Sequence, residues 1–371
     1  MPTPKVHIQT LLDLADVQIN GSRPWDVVVH DDRFYRRVLS LGSVGLGESY
    51  MDGWWESPAL DNFFFHVLGA RLDERVRRNW PLLLLGLSSR LFNRQSRHHA
   101  FEIGKRHYDI GNDLYSAMLD SRLTYTCGYW KEASSLDPAQ ENKLELVCKK
   151  LHLQPEQTVL DIGCGWGSFA KYAAEKYHVS VVGISVSQEQ IHLGKELCHG
   201  LPVDLRYQDY RTIKGKFDHI VSLGMFEHVG VKNYKTFMDV VNRNLKDDGL
   251  FLLHTIGGER SAITNEPWIE KYIFPNSMLP SVQQIARATE GVFVMEDWHN
   301  FSADYDKTLI AWHQNIVSHW ETLRSRYDDR FFRMWTYYLL SCAGSFRARR
   351  NQLWQIVFSK HGVLGGYASI R

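Results

Sequence analysis

Cysteine is scarce and scattered in this sequence: five in 371 residues, with no C-x-x-C spacing. That pattern supplies neither a disulfide framework nor a zinc-ligand set, so no metal is expected. It fits a reducing cytosol. Long apolar runs are lacking as well. The longest aliphatic run, Leu82-Leu83-Leu84-Leu85 after Pro81, falls far short of the ~20 residues that a helical span needs. Met1 to Asn20 carries acids and no long apolar core, so no signal peptide is expected there. No single sign of charge dominates. The formal net charge of +1 argues against a dedicated nucleic-acid binder. Internal repeats and low-complexity tracts are missing too. What remains is a cytoplasmic chain, in solution or resting on a membrane without crossing it.

What is plentiful is aromatic. Seventeen Tyr and twelve Trp are the raw material of apolar cavities and interfaces. The length suggests about two domains. Residues 1–90 read as a small, mainly helical N-terminal domain. In it, Asp26-Val27-Val28-Val29-His30 suggests a short strand, and Phe34, Val38 and Leu39 suggest one helix face. Gly42 to Trp55 reads as loop and core packing. Residues 91–106 read as a basic linker. Across 71–106 nine Lys or Arg face three acids. Such a stretch is usually a solvated face; beside the apolar Trp80–Leu87 run it also suits an anionic lipid surface.

Residues 107–371 read as a catalytic domain in which strands and helices alternate. Strands are expected at Thr158–Asp161, Val179–Gly183, Val203–Tyr207, Phe217–Leu223 and Leu250–Thr255. The last should follow an Asp248-Gly249 turn. Ser187-x-x-Gln190 has capping-box spacing. A long aromatic helix is expected from Phe331 to Phe358. The fold class is α/β, with a mostly parallel sheet and ligands beyond the carboxyl ends of its strands. Within it, Val159-Leu160-Asp161-Ile162-Gly163-Cys164-Gly165-Trp166-Gly167 reads as strand, tight turn, helix. Its G-x-G-x-G spacing is not the G-x-G-x-x-G of dinucleotide sites. With its preceding Asp it resembles the S-adenosylmethionine (SAM) site of Rossmann-like methyltransferases.

Several further stretches are more specific. They are His107–Asp113, Tyr125-Thr126-Cys127-Gly128-Tyr129-Trp130, Gly224-Met225-Phe226-Glu227-His228-Val229-Gly230, His254-Thr255-Ile256-Gly257 and Tyr272-Ile273-Phe274-Pro275. Together with the glycine turn they closely resemble the cyclopropane-fatty-acyl-phospholipid synthases, over nearly the whole chain. The Gly45–Trp55 segment points to the phospholipid-acting bacterial type, which carries a leading domain.

The resemblance implies a Rossmann-like methyltransferase domain with a seven-stranded, mostly parallel sheet. It implies that the methyl of SAM passes to a cis double bond of a phospholipid acyl chain. The resulting carbocation loses a proton to bound bicarbonate and closes to cyclopropane. Bicarbonate contacts fall on Cys127, Glu227, His254, the backbone of Ile256, and Tyr305. Cys342 matches a family cysteine and reads as acyl-pocket packing, because methyl transfer to an alkene needs no covalent enzyme intermediate. For SAM, Gly163, Cys164 and Gly165 should approach the amino-acid moiety, with Asp161 at the strand end. Tyr108 and Thr126 should cover the carboxylate or sulfonium side. Ser185 and Gln190 should meet the ribose, and Gln208 and Asp209 the adenine. The second strand lacks the acid that usually grips the ribose, and Gln190 stands in for it. The implied partners are an unsaturated phospholipid bilayer at the inner face of the membrane and a second copy of the chain, with no nucleic acid.

Chemistry suits these residues. An alkene is a feeble nucleophile, so positioning must do much of the work. A carbocation demands a dry, aromatic or apolar site. Each residue also has a plainer reading: Cys127 as a small buried hydrophobe, Glu227 as a helix cap, His254 as a core histidine. Two rival functions stand beside the synthase: a non-catalytic lipid-binding module, and a SAM-dependent enzyme that makes methyl-branched lipids.

Overall fold

The computed structural model describes residues 3–72 and 111–371. Tyr108, the 91–106 linker and the Leu82–Leu85 run lie outside the described residues. In chain order the helices are α1 (Pro4–Asp13), α2 (Arg33–Leu41), α3 (Ser43–Met51), α4 (Leu60–Gly69), α5 (Asn112–Met118), α6 (Leu136–Lys150), α7 (Ser168–Tyr177), α8 (Gln188–Leu197), α9 (Tyr234–Asn244), α10 (Pro267–Tyr272), α11 (Val282–Thr289), α12 (Ala303–Leu323) and α13 (Asp329–Arg347). The strands are β1 (Val28–Val29), β2 (Trp55–Glu56), β3 (Thr158–Ile162), β4 (Ser180–Ser185), β5 (Val203–Tyr207), β6 (Phe217–Leu223), β7 (Leu245–Gly258), β8 (Val294–Asn300) and β9 (Asn351–Ser359).

The chain packs as two compact units, and they are interleaved in sequence. Among the described residues the first unit comprises 3–72, 264–275 and 305–351. The second comprises 111–263, 276–304 and 352–371. A linear boundary at 90–107 therefore does not describe the packing: α10 and most of α12 and α13 join the N-terminal residues. The reason is apolar burial. Trp55, Phe63, Trp268, Trp312 and Trp335 are all almost fully buried in this unit. Tyr337 bridges Phe64 and Trp268, at ring-centroid separations of 5.2 and 4.5 Å.

The segment expected as a loop from Gly42 is instead α3. Glycine lowers helix propensity, yet two glycines inside it are required by packing. A side chain at Gly45 would run into the Arg37 carbonyl of α2, and one at Gly47 into the Trp268 indole. Glu48 ties the same helix to α10, accepting from Tyr272 Oη at 2.7 Å and pairing with Lys271 at 2.5 Å.

The second unit holds a seven-stranded sheet in the order β5-β4-β3-β6-β7-β9-β8. β3 to β7 pair in parallel, and β8 with β9 is antiparallel. The mostly parallel α/β expectation holds. Both faces are covered, as parallel strands require. Leu160, Ile220, Phe251 and Ile356 point into one apolar cluster. Val159, Val221, Leu252 and Val357 point into the other.

Two local expectations change. Asp248-Gly249 is not a turn ahead of the strand: β7 already begins at Leu245, and Lys246–Gly249 forms an irregularity between the Leu245 and Leu250 pairings with β6. The aromatic helix stops at Arg347, and Trp354 and Phe358 lie on β9. Leu353 to Phe358 is a run of six apolar or amide residues buried on both faces, which a central strand accommodates and an amphipathic helix does not.

Candidate active site

At the carboxyl end of β3 the chain must leave the sheet and start α7 within a few residues. Gly163, Gly165 and Gly167 all have positive φ, at +90°, +55° and +84°, which side chains oppose. Their reasons differ. A Cβ on Gly163 would sit 2.6 Å from Met225 Cβ, whereas Gly165 faces open space with Gln190 Nε2 4.0 Å away. Gly165 thus leaves room beside the turn. The amides of Gly163 and Cys164 are already committed, donating to Ile184 O at 2.9 and 3.1 Å. Cys164 turns its thiol toward Gly183 in the core, and burial pushes that thiol well above its ordinary value.

Beside this turn lies a cavity of about 150 Å³. Thr126, Asp161, Gly163, Cys164, Gly165, Ser185, Gln190, Gln208 and Asp209 all line it. These are the residues expected to meet SAM, Tyr108 excepted. Ser185 Oγ donates to Gln190 Oε1 at 3.0 Å. Gln190 is therefore held by Ser185 rather than closing a capping box, although Ser187 Oγ does accept from its backbone N–H at 3.3 Å. Asp209 is engaged inside its own turn, taking Arg211 N and Nη1, each at 2.8 Å. Gln208 donates to Thr212 Oγ1 at 3.1 Å.

Cys127, Glu227, His254 and Ile256 belong to the same unit but stand just behind this wall. Their neighbours Thr126, Gly224 and His228 line the cavity. Gly224 N donates to His254 O at 2.9 Å. Glu227 Oε1 accepts from Ile256 N at 2.6 Å, so the expected acid and the expected backbone contact are joined directly. Glu227 Oε2 is buried without a hydrogen-bond partner among the described residues. So is His254 Nε2, while Nδ1 of that ring meets Gln355 Nε2 at 3.3 Å. Burial pushes Glu227 up to about 7, against the Ile256 N–H that favours its charged form. Burial likewise holds His254 well below its ordinary value, and the positive Lys143 and Lys150 add to this. The imidazole is therefore neutral at pH 7. Cys127 is fully buried and donates to Gly128 O at 3.1 Å.

Tyr305 and Cys342 belong to the first unit. The Tyr305 ring packs on Phe346 at 4.6 Å and edge-on to Trp312. Burial pushes the Cys342 thiol up to about 12, so it is no thiolate near neutral pH.

The sequence reading missed several polar residues here. Lys143 and Arg211 line the cavity, and Gln355 holds His254. One signal was available: Gln140, Lys143, Leu144 and Val147 share a face of α6 at i, i+3, i+4, i+7, and all four are buried. Polar groups on a buried face need partners. Among the described residues no cluster of His, Cys, Asp or Glu is arranged to hold a metal, and no helix is long and apolar enough to cross a membrane.

A parallel sheet in this order, with a glycine turn closing a cavity at the end of β3, defines a Rossmann-like methyltransferase fold. Within that class, the chain belongs to the mycolic acid cyclopropane synthetase family, whose match runs over residues 95–356. It is 54% identical over 356 residues to the cyclopropane-fatty-acyl-phospholipid synthase of Escherichia coli (strain K12), covering 96% of this chain and 93% of that protein. A probable fatty acid methyltransferase of Pseudomonas putida is 34% identical over 68% of this chain and 68% of its own length. Among solved structures, the mycolic acid cyclopropane synthase CmaA1 complexed with SAH and CTAB aligns with a TM-score of 0.65 and 31% identity, over 70% of this chain and 98% of its own. The chain is thus an enzyme, a SAM-dependent methyltransferase of the cyclopropane synthase kind.

Proposed function

We propose that this enzyme transfers the SAM methyl to the cis double bond of an unsaturated phospholipid acyl chain and closes it to a cyclopropane. The alkene π pair forms the new C–C bond as the S–CH3 bond breaks, and S-adenosylhomocysteine leaves. The carbocation then loses a proton, and the ring closes with the electrons of that C–H bond. The observation carrying this reading is a pair of buried atoms beside the cavity, Glu227 Oε2 and His254 Nε2, that have no partner among the described residues. Buried polar atoms without partners invite a small polar guest. Bicarbonate suits the chemistry of both, and bound there it would supply the base.

The protein's own groups do the rest. Ile256 N fixes the Glu227 carboxyl, which near pH 7 can donate or accept. Gln355 fixes the His254 ring, leaving Nε2 to face the guest. Phe301, at 5.9 Å from the His254 ring, contributes a dry wall. The cavity residues would hold SAM, with Gln190 and Ser185 near the ribose. The parts given to Tyr108, Tyr305 and Cys342 rest on the resemblance alone.

We also assign the N-terminal residues and the basic 71–106 stretch to docking on the inner, anionic face of a membrane, and expect the enzyme to act as a homodimer. One other reading has support, since the Pseudomonas putida relative is named a fatty acid methyltransferase: a methyl branch in place of a ring. Labelled SAM with vesicles of unsaturated phospholipid, followed by mass spectrometry of the acyl chains before and after hydrogenation, decides between them. A ring adds one methylene; a branch made with reduction adds two further hydrogens. Absence of label in lipid would refute both.

A further inference from the structure

Lys143 lies on the buried face of α6 with no exposed surface, yet its side chain forms part of the cavity wall. An ammonium has three N–H donors. Among the described residues its one hydrogen bond runs to Thr126 Oγ1, at 2.8 Å. Asp161, in the same wall, has the complementary deficit. Its Oδ1 is buried and has no partner among the described residues.

Thr126 is itself held on three sides. Lys143 takes its hydroxyl, and its carbonyl accepts from Gln140 Nε2 at 2.7 Å. Its methyl fits against Gly224, where a Cβ would lie 2.6 Å away. Among the described residues the charged and titratable groups facing Lys143 are Asp120, Cys127 and Asp161. Those facing Asp161 are Lys143 and the buried thiols of Cys164 and Cys198. His254 also feels the Lys143 charge. Burial pushes Lys143 down to about 8, opposed mainly by Asp120. Burial pushes Asp161 up to about 7, opposed by Lys143.

We propose that Lys143 is a positioning residue for the cationic methyl donor: it keeps Asp161 a carboxylate and Thr126 in its seat, giving the cavity a carboxylate oxygen open to a sulfonium- and ammonium-bearing ligand. This rests on reading the cavity as the SAM site. A buried carboxylate with no nearby cation takes up a proton. It must then release that proton before a cation can bind, and affinity falls by the same factor.

The test is calorimetric titration of SAM into the wild-type enzyme, Lys143→Met, Lys143→Arg and Asp161→Asn between pH 6 and 9. The ratio of variant to wild-type affinity at each pH cancels the ligand's own titration. For Lys143→Met the expected ratio is near one at pH 9 and falls to about one-tenth by pH 6. That is the effect of moving the Asp161 midpoint up by roughly one unit. Lys143→Arg should restore the wild-type curve. In Asp161→Asn the wild type's loss of affinity toward low pH should disappear. Removing one member of a buried charge pair can destabilise strongly; if the Met variant does not fold by circular dichroism, Lys143→Gln serves instead. A loss in Lys143→Met that is equal at every pH would overturn the proposal, since the lysine would then only pack. No SAM binding by the wild type at any pH would instead overturn the reading of the cavity.

Discussion

Glu227→Gln separates chemistry from structure more sharply than any other change. The substitution keeps the shape and an oxygen for the 2.6 Å bond from Ile256 N. It removes the charge, and with it the ability to pass between donor and acceptor at Oε2, the atom with no partner among the described residues. Turnover should fall by roughly 10²–10⁴, the range for losing a placed acid or base. SAM affinity should stay within about threefold, because Glu227 does not line the cavity proposed for SAM.

The same variant makes an opposite forecast for stability. Folding raises the Glu227 carboxyl from 4.5 to about 7. The folded state therefore holds its proton to higher pH than the unfolded one. Below pH 4.5 the two states are both protonated, and burial costs nothing in ionisation. Between pH 4.5 and about 7 the unfolded carboxyl ionises while the buried one keeps its proton, so stability falls across that window and levels off above it, by at most roughly 3 kcal/mol at 1.36 kcal/mol per unit. Glu227→Gln removes that cost. The variant should match the wild type near pH 4.5 and exceed it by up to roughly 3 kcal/mol at pH 8, in urea titrations at both pH values. A SAM affinity that collapses with turnover would refute the role assigned to Glu227. A stability difference independent of pH would refute the burial argument.

Gly165→Ala and Gly163→Ala should part company. The first meets only the backbone strain of positive φ, about 1–2 kcal/mol, with its main effect on SAM affinity; the second adds a collision with Met225 and should cost more by thermal melting. Cys342→Ser should keep most activity, and the native enzyme should resist thiol reagents at pH 7.5, because burial keeps that thiol protonated; rapid inactivation by alkylation of Cys342 would contradict this. Replacing Arg75, Arg77 and Arg78 with Gln should weaken binding to anionic vesicles by about 1 kcal/mol each in low salt, with no change in SAM affinity; sedimentation of vesicles reads the first and calorimetry the second.

Much of the second unit was legible in advance. Strand and helix alternation follows from apolar periodicity, which neighbours in sequence set. The turn after β3 followed from three glycines at alternate positions, since few other residues accept positive φ. Other features needed partners distant in the chain. Gly45 and Gly47 read as loop residues until α2 and Trp268 supply the surfaces they must fit against. Trp354 and Phe358 continue an aromatic pattern, and only the sheet neighbours make that stretch a strand.

The amino-acid order alone therefore determined the sheet's alternating architecture, the glycine turn and the family to which the chain belongs, because these depend on short-range pattern and on motifs. The tertiary structure decided that 264–275 and 305–351 join the N-terminal residues. It also decided that Lys143 enters the cavity wall and that, among the described residues, Glu227 and His254 each keep a buried atom without a partner. Those outcomes turn on desolvation and on which distant groups meet, and neither exists until the chain has folded.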